Sequence, residues 1–472
     1  MSFQLSPELD RNKVFLVNRS GLEGRLDCDY YIPALINKIE RIKKRPHLKL
    51  REIINELQTG YNNKQNHSAG LSFLRTQNIR PIWLDTTNTT FTNDETIRKS
   101  IFGDLLFTRI GVNVGDVGFN DIGDVAISDN VILTRFNNHE FAKFCAIFLD
   151  TNIGKSFIER EKRDTARAII SYENIENILI PKLQSNIQLS VINKMDTAYT
   201  AKKQKEAEAK RLLDSIDDYL LTELGIELPE QEANIIQSRI FTRRLSEMSG
   251  GRFDPDYFQE HYRKIQHLIE NGLFACRAIK EITDLVINGN TPASYDYSDI
   301  ETEYPIIKVK SYKGAFISLK KLDFTLAKKM KRTKQNDIFI LSAAHQANYV
   351  GRFIKFLDSK PSGNTSFVGE LICIRVNDSI CEPMYLFSLL NCEIYKVLLN
   401  REKTGQTSHI YPSDIKHIKI PLPPSEKQTQ IADHVTNIRN QAKQLQQQAK
   451  ADLEQAKKEV ETMILGENEG KA

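Results

Sequence analysis

Two stretches of the chain carry a helical rhythm. In residues 184–225, Ile192, Tyr199, Leu213 and Leu220 recur at multiples of seven, with Met195, Ala209 and Ile216 on a companion track. Lys202 and Glu206 interrupt that seam. In residues 424–466, Ile431, Ile438 and Leu445 form one track and Val435, Ala442, Ala449, Ala456 and Met463 the other. Asp452 and Glu459 fall on the first track, so the seam is expected to shift near Leu453. Both stretches are rich in Ala, Lys, Gln, Glu and Leu, the good helix formers. Gly225 and Gly466 stand where a C-terminal cap belongs, and Ser425 with Gln428 fits a capping box. About forty residues at ~1.5 Å each make a rod of about 60 Å. The alanine track permits close approach of a partner helix, and the two stretches are expected to pair with each other.

Elsewhere the pattern is mixed. "DYYIPALINKIERIKK", "DYFQEHYRKIQHLIEN", "EFAKFCAIFLDTNIGKSFIERE" and "PMYLFSLLNCEIYKVLLNRE" read as helices. "DLLFTRIG", "DVAISDNVILTRF", "DIFILSAA" and "ELICIRV" are short β-branched runs bounded by Gly, Asn and Asp, and read as strands. The fold class is therefore α+β.

These elements occur twice. "GRLDCDYY" at Gly24 returns as "GRFDPDYF" at Gly251. "LREIINELQTG" faces "IKEITDLVING", "GDLLFTRIG" faces "NDIFILSAA", "VILTRFN" faces "LICIRVN", "REK" at Arg160 faces "REK" at Arg401, and "ISYENIENILIP" faces "IYPSDIKHIKIP". The offset drifts between 227 and 241 in steps, as indels in loops produce. A repeat this long is a duplicated domain, not a solenoid unit of ~20–50 residues. The expected organisation is a first domain at 1–183, a long helix at 184–225, a second domain at 226–423 and a second long helix at 424–466.

Composition narrows the class. At 40% hydrophobic and 27% charged residues with a mean hydropathy of −0.41, the chain reads as globular. No apolar run approaches the ~18 residues of a membrane span, and "MSFQLSPELDRNK" lacks a signal-peptide layout. The expectation is a cytoplasmic protein. The six cysteines are scattered without a C-x-x-C, which reads as reduced, buried thiols. The nine histidines show no zinc spacing. Net charge is only +4, but ten Lys/Arg face one acid, Asp323, between Lys308 and Lys334. That run suits phosphates.

Catalytic signatures are missing. "GKS" at Gly154 lacks the earlier glycine of a phosphate-cradling loop. There is no N-P-P-[FY], F-x-G-x-G, H-E-x-x-H or G-x-S-x-G. A non-catalytic role is expected, with no cofactor or metal in this chain. Three pairs of polar loops remain as candidates for DNA contact. The first holds Asn62, Asn63, Lys64, Gln65, Asn66 and His67, with Asn290 in the second copy. The second holds Thr108, Arg109 and Asn113, matched by Ser342, His345, Gln346 and Asn348. The third holds Arg160, Lys162, Arg163 and Arg167, matched by Arg401, Lys403, Gln406, Thr407 and Ser408. Asn and Gln suit adenine edges and Arg suits guanine, while Lys, Ser and Thr suit phosphates. Like scaffolds with unlike loops are what two readouts need.

"LRTQNI", "GDLLFTRIG", "AISDNVILTRF" and "IENILIPKL", echoed by "DIFILSA", "NTSFVGELICIRV" and "IKHIKIPLPPSEKQTQIA", run in order over essentially the whole chain. Together they resemble the specificity (S) subunit of type I restriction-modification systems. The second copy departs at Ser342–Ala344, where the "TRIG" form is lost. The resemblance implies two target-recognition domains, each reading half of a bipartite asymmetric site in double-stranded DNA, and long helices paired as an antiparallel coiled coil. It implies two methyltransferase subunits using S-adenosylmethionine, and restriction-translocase subunits using ATP and Mg2+, as partners. Half-sites one turn apart lie ~34–36 Å centre to centre, within the span of a ~60 Å rod. A specificity subunit of a type IIB-like fused nuclease-methyltransferase system, and a coiled-coil adaptor without DNA readout, are the alternative readings.

Overall fold

The structure is a computed structural model. It describes residues 6, 8–63, 66–111, 113–162, 168–228, 240–245, 248, 252–405 and 408–467. The chain divides into two compact units, Met1–Glu206 with Gln446–Ala472, and Ala207–Leu445. The division runs through both long helices instead of at their ends, because each unit is completed by half of each helix.

In unit 1 a four-stranded antiparallel sheet orders Ile54–Thr59, Val131–Phe136, Leu105–Thr108 and Val117–Phe119. Its two inner strands pair Ile132 with Phe107 and Leu133 with Leu106. Both faces of these strands are covered, which is why they read as unbroken apolar runs. Helices His139–Asp150 and Asn152–Glu161 cover one face, with Phe144, Phe148 and Phe157 in the core. A smaller sheet orders Thr90–Thr92, Leu71–Leu74, Val125–Ile127 and Lys99–Ser100, its two inner strands parallel.

Unit 2 repeats the plan. Thr283–Asn288, Leu371–Val376, Ile338–Leu341 and Ile354–Phe356 run in that order, extended by Phe316–Ile317 and Tyr312–Lys313. Helices Pro383–Asn391 and Glu393–Arg401 cover it through Tyr385, Phe387 and Tyr395. The smaller sheet again carries one parallel pair, Pro305–Ile307 with Ser366–Phe367. One ion pair recurs. Arg135 grips the Asp104 carboxylate with two bonds of 2.9 and 2.8 Å, and Arg375 grips Asp337 with bonds of 2.8 and 2.7 Å. Asp104 and Asp337 are buried, so each arginine supplies the partner that a buried carboxylate requires.

The long helices are α1, Ser185–Leu224, and α2, Ser425–Leu465. They pair antiparallel. In unit 1, Lys194 meets Glu459 and Lys205 Nζ meets Asp452 at 2.5 Å. In unit 2, Glu223 meets Lys427 and the Tyr219 and His434 rings lie 4.0 Å apart. The seam shifts at Leu453 as expected. Leu453, Ala456 and Val460 are buried, while Asp452 and Glu459 turn outward to those lysines. Ala442 and Ala449 are buried on the alanine track of α2, and Ala209 is buried on the companion track of α1. Gly225 and Gly466 take positive φ of 64°, closing each helix with a bond from the next residue's N–H, Ile226 to Leu221 O and Glu467 to Thr462 O. The expected Ser425–Gln428 capping box does not form. Gln428 is buried and instead accepts from the Glu382 N–H and donates to Pro423 O. All six cysteines are free; Cys28 is exposed, against the expectation of uniform burial.

Candidate nucleic-acid interface

Each unit gathers its second and third loops by the same backbone contact. In unit 1, Ile110 bridges Ile169, and the Ile170 N–H donates to Arg109 O at 3.1 Å. In unit 2, Ala343 bridges His409, and the Ile410 N–H donates to Ser342 O at 2.9 Å. The first loops differ. In unit 1 the loop lies along the smaller sheet: Asn63 Oδ1 accepts from Thr92, Asn66 Oδ1 accepts from Arg75 and His67 bridges Phe91. In unit 2 the loop joins the second loop, because Asn288 donates to the Ser342 hydroxyl at 3.2 Å. Asn290 Oδ1 accepts from the Lys331 N–H, and Lys331 Nζ donates to Asn288 O at 2.6 Å. This ties the basic run to the first loop. Within the run Lys308 and Lys310 pair with Asp323, while Lys313, Lys320, Lys321, Lys328, Lys329 and Lys334 are exposed.

The candidate residues sort by burial. Asn62, Asn66, His67, His345, Gln346 and Asn348 are exposed, and Arg109, Asn113, Asn290 and Ser408 are half-buried. Lys64, Gln65, Arg163, Arg167, Gln406 and Thr407 lie outside the described residues. Thr108 and Ser342 are buried at 0% and 2% exposure and face the interior instead of a ligand. Thr108 is the last residue of its inner strand and Ser342 directly follows one, and buried side chains precede each.

Arg160 and Arg401 are framework as well. Arg160, 7% exposed, donates to Tyr30 O and to the Glu23 carboxylate, and its guanidinium lies over the Tyr30 ring at 3.9 Å. Arg401 donates to Tyr257 O and lies over the Tyr257 ring at 3.9 Å. A second arginine closes each arrangement. Arg25 binds Asp27, reaches Glu161 O and Lys162 O at 3.3 Å each, and lies 4.5 Å over Tyr30. Arg252 binds Asp254, reaches Glu402 O and Lys403 O at 3.3 and 3.1 Å, and lies 4.1 Å over Tyr257. We call this the latch. It joins the repeated G-R-x-D-x-D-Y phrase to the repeated R-E-K phrase. Lys162 and Lys403 give their ammonium groups to Glu159 and Asn400. Burial pushes the Glu402 carboxyl up to about 7, with Arg401 and Arg252 opposing the rise. Burial raises Glu161 too, offset by its bond from Asn174.

The sequence reading overlooked aromatic side chains in the same loops. Tyr61, Tyr349 and Tyr411 are 51%, 41% and 52% exposed, Arg98 lies over Tyr61, and His409 stacks on Tyr411. An aromatic residue inside a polar loop was the available signal. Among the described residues no group of side chains could hold a metal ion, and no helix is long and apolar enough to cross a membrane.

Residues 273–455 match the family model of the type I restriction modification DNA specificity domain. That segment is similar to the DNA specificity domain of type I restriction-modification systems. A 199-residue stretch is 28% identical to a Methanocaldococcus jannaschii protein described as the MjaX type I restriction enzyme specificity subunit. That stretch covers 39% of this chain and 44% of the relative, so the chain spans less than half the curated relative it matches. Solved structures that match include a chain from a study of assembly and conformational transition of the type I system, at 15% identity and a TM-score of 0.48. That match covers 89% of this chain and 96% of the other. The S subunit from M. genitalium matches at 12% identity and a TM-score of 0.42, covering 89% and 95%.

Proposed function

We propose that this chain is the non-catalytic DNA-specificity subunit of a type I restriction-modification complex acting in the cytoplasm. Each unit reads one half of a bipartite, asymmetric site in double-stranded DNA. Partner subunits supply the chemistry: two methyltransferase subunits use S-adenosylmethionine to methylate adenine, and restriction-translocase subunits use ATP and Mg2+. The observation that carries this reading is the pair of loop clusters. They rest on one framework, joined by the same contact between second and third loops, and they differ in the polar groups they expose. Phosphate contacts give affinity and base contacts give sequence. In unit 2 the exposed lysines of residues 308–334 serve the first role, and His345, Gln346 and Asn348 serve the second.

Methylome sequencing of cells expressing the chain with its methyltransferase tests this. A split adenine-methylated motif is expected, and exchanging residues 24–181 for those of another subunit is expected to change one half only. No methylation, or a change in both halves, defeats the reading. Because net charge is only +4, tight binding is expected to need the methyltransferase partners. Gel-shift titration checks this, and equal affinity without them would contradict it.

A further inference from the structure

The first loops carry unlike side chains, but both leave the sheet in one way. Gly60 and Gly289 directly follow the strands Ile54–Thr59 and Thr283–Asn288. Each passes so close to a strand of the smaller sheet that a Cβ would meet a carbonyl, Ile127 O at 2.0 Å or Phe367 O at 2.2 Å. Only glycine permits that approach. The next residue bonds the same carbonyl. The Tyr61 N–H donates to Ile127 O at 3.1 Å, and the Asn290 N–H donates to Phe367 O at 3.0 Å. Tyr61 and Asn290 are therefore equivalent positions.

A basic residue stands opposite that strand position in both units. Lys99 pairs with Ala126, and Arg98 O accepts from the Ile127 N–H at 3.1 Å. Arg332 bridges Ser366, which sets Lys331 opposite Phe367. Arg98 Nη2 donates to the Tyr61 hydroxyl at 3.4 Å, with the guanidinium carbon 5.6 Å from the ring centre. Arg98 Nη1 is anchored on the Glu56 carboxylate at 2.9 Å. Glu56 pairs with Arg135 in the sheet, and in unit 2 Leu285 pairs with Arg375 in its place. Without that carboxylate, Lys331 holds its loop through the backbone. Its N–H donates to Asn290 Oδ1 at 3.0 Å and its Nζ to Asn288 O at 2.6 Å.

The result is the same in both units. Tyr61 and Asn290 are each held through an oxygen that accepts, which leaves a donor: the phenol O–H and the amide Nδ2. Among the described residues neither donor reaches a protein acceptor. Tyr61 is 51% exposed and Asn290 is half-buried.

We propose that Tyr61 and Asn290 are equivalent base-reading residues, each donating to an acceptor on a base edge, with Arg98 and Lys331 as the residues that position them. This rests on the DNA-specificity reading above. Purine N7, guanine O6 and thymine O4 are the acceptors that the major groove offers. A base contact accounts for the difference between the two positions. The phosphate backbone is alike in both half-sites, and gives no reason for a phenol in one unit and an amide in the other.

Competition binding by the chain assembled with its methyltransferase, against duplexes changed at one base pair at a time, tests this. Tyr61→Phe removes the hydroxyl and keeps the ring, and is expected to keep the native urea midpoint. It is expected to lower discrimination about tenfold at a single base pair of one half-site, with the other half unchanged. Asn290→Ala is expected to act likewise in the other half. Arg98→Met is expected to relax the same base pair as Tyr61→Phe, and the double variant no further, since both act through one contact. A role confined to folding, or a phosphate contact, would weaken binding to every duplex alike. Either result overturns the proposal, and so does unchanged discrimination in Tyr61→Phe. A native complex that discriminates in neither half removes the DNA-specificity reading itself. One that discriminates in both, with variants that match it, removes this inference alone.

Discussion

The latch and the first loop stand at opposite extremes of likeness between the two units. At the latch, Arg25, Tyr30 and Arg160 make nearly the same contacts as Arg252, Tyr257 and Arg401, down to the two carbonyls that each leading arginine reaches. At the first loop almost nothing is shared. Asn63 and Asn66 of unit 1 bind Thr92 and Arg75, whereas Asn288 and Asn290 of unit 2 bind Ser342 and Lys331. Buried arginine geometry holds a backbone in place and tolerates little change, because losing one partner leaves a charge or carbonyl uncompensated. An exposed amide has water as an alternative partner and is free to differ.

The strongest challenge to the shared framework is removal of its buried carboxylates. Asp337→Ala leaves Arg375 without its bidentate partner and is expected to cost about 3 kcal/mol. Asp104→Ala is expected to cost about 1 kcal/mol less in unit 1, because Arg135 keeps its bond to the Glu56 carboxylate. Urea denaturation checks both, and a loss below ~1 kcal/mol in either unit breaks the equivalence. The latch comes next. Arg160→Ala is expected to cost about 2–3 kcal/mol and Arg401→Ala about 1 kcal/mol less, because only Arg160 also holds a carboxylate, that of Glu23. Arg→Lys at either position should restore only part of the loss, since an ammonium lacks the planar fork.

The carboxyls beneath the latches sharpen the comparison by pH. Glu402 binds its proton more tightly folded than unfolded, so its contribution to stability is full below about 4.5 and is lost as pH rises through about 7. The loss is on the order of 1–2 kcal/mol after allowance for partial exposure. Glu402→Gln should flatten the dependence of the urea midpoint between those values, and an unchanged profile would reject the assignment. The smallest effect belongs to the surface of the paired helices. Lys205→Ala removes an exposed pair with Asp452 and is expected to cost no more than ~0.5 kcal/mol, again by urea midpoint.

Much of this architecture was legible in the pattern. The duplicated strands, both long helices and the shift of the seam at Leu453 follow from periodicities of two and seven, which depend only on which face is buried. The latch was not legible, although both of its phrases were visible as repeats. Charged residues repeated at a helix end read as a solvated or DNA-facing surface. Arg160 is instead buried by stacking on a tyrosine 130 residues earlier, and no local spacing encodes a contact at that distance. Thr108 misled for a related reason. In "TRIG" it borders a polar loop, but it belongs to the strand, and its pairing with Val131 sets it inside.

The division of the chain has a consequence for the order in which the protein is made. Unit 2 is one continuous segment, whereas unit 1 waits for its last piece. Arg45 donates to Leu465 O across 420 residues, and Asp150 takes its ammonium partner from Lys457. While the ribosome is still short of residue 446, unit 1 carries a carboxylate without that partner and an apolar surface that Leu453, Val460 and Ile464 will later cover. Contacts so distant in sequence form late, and domains generally fold as units as they emerge. The half translated first is therefore the half completed last, and a chain cut near residue 445 would keep every residue of unit 2 while leaving unit 1 open.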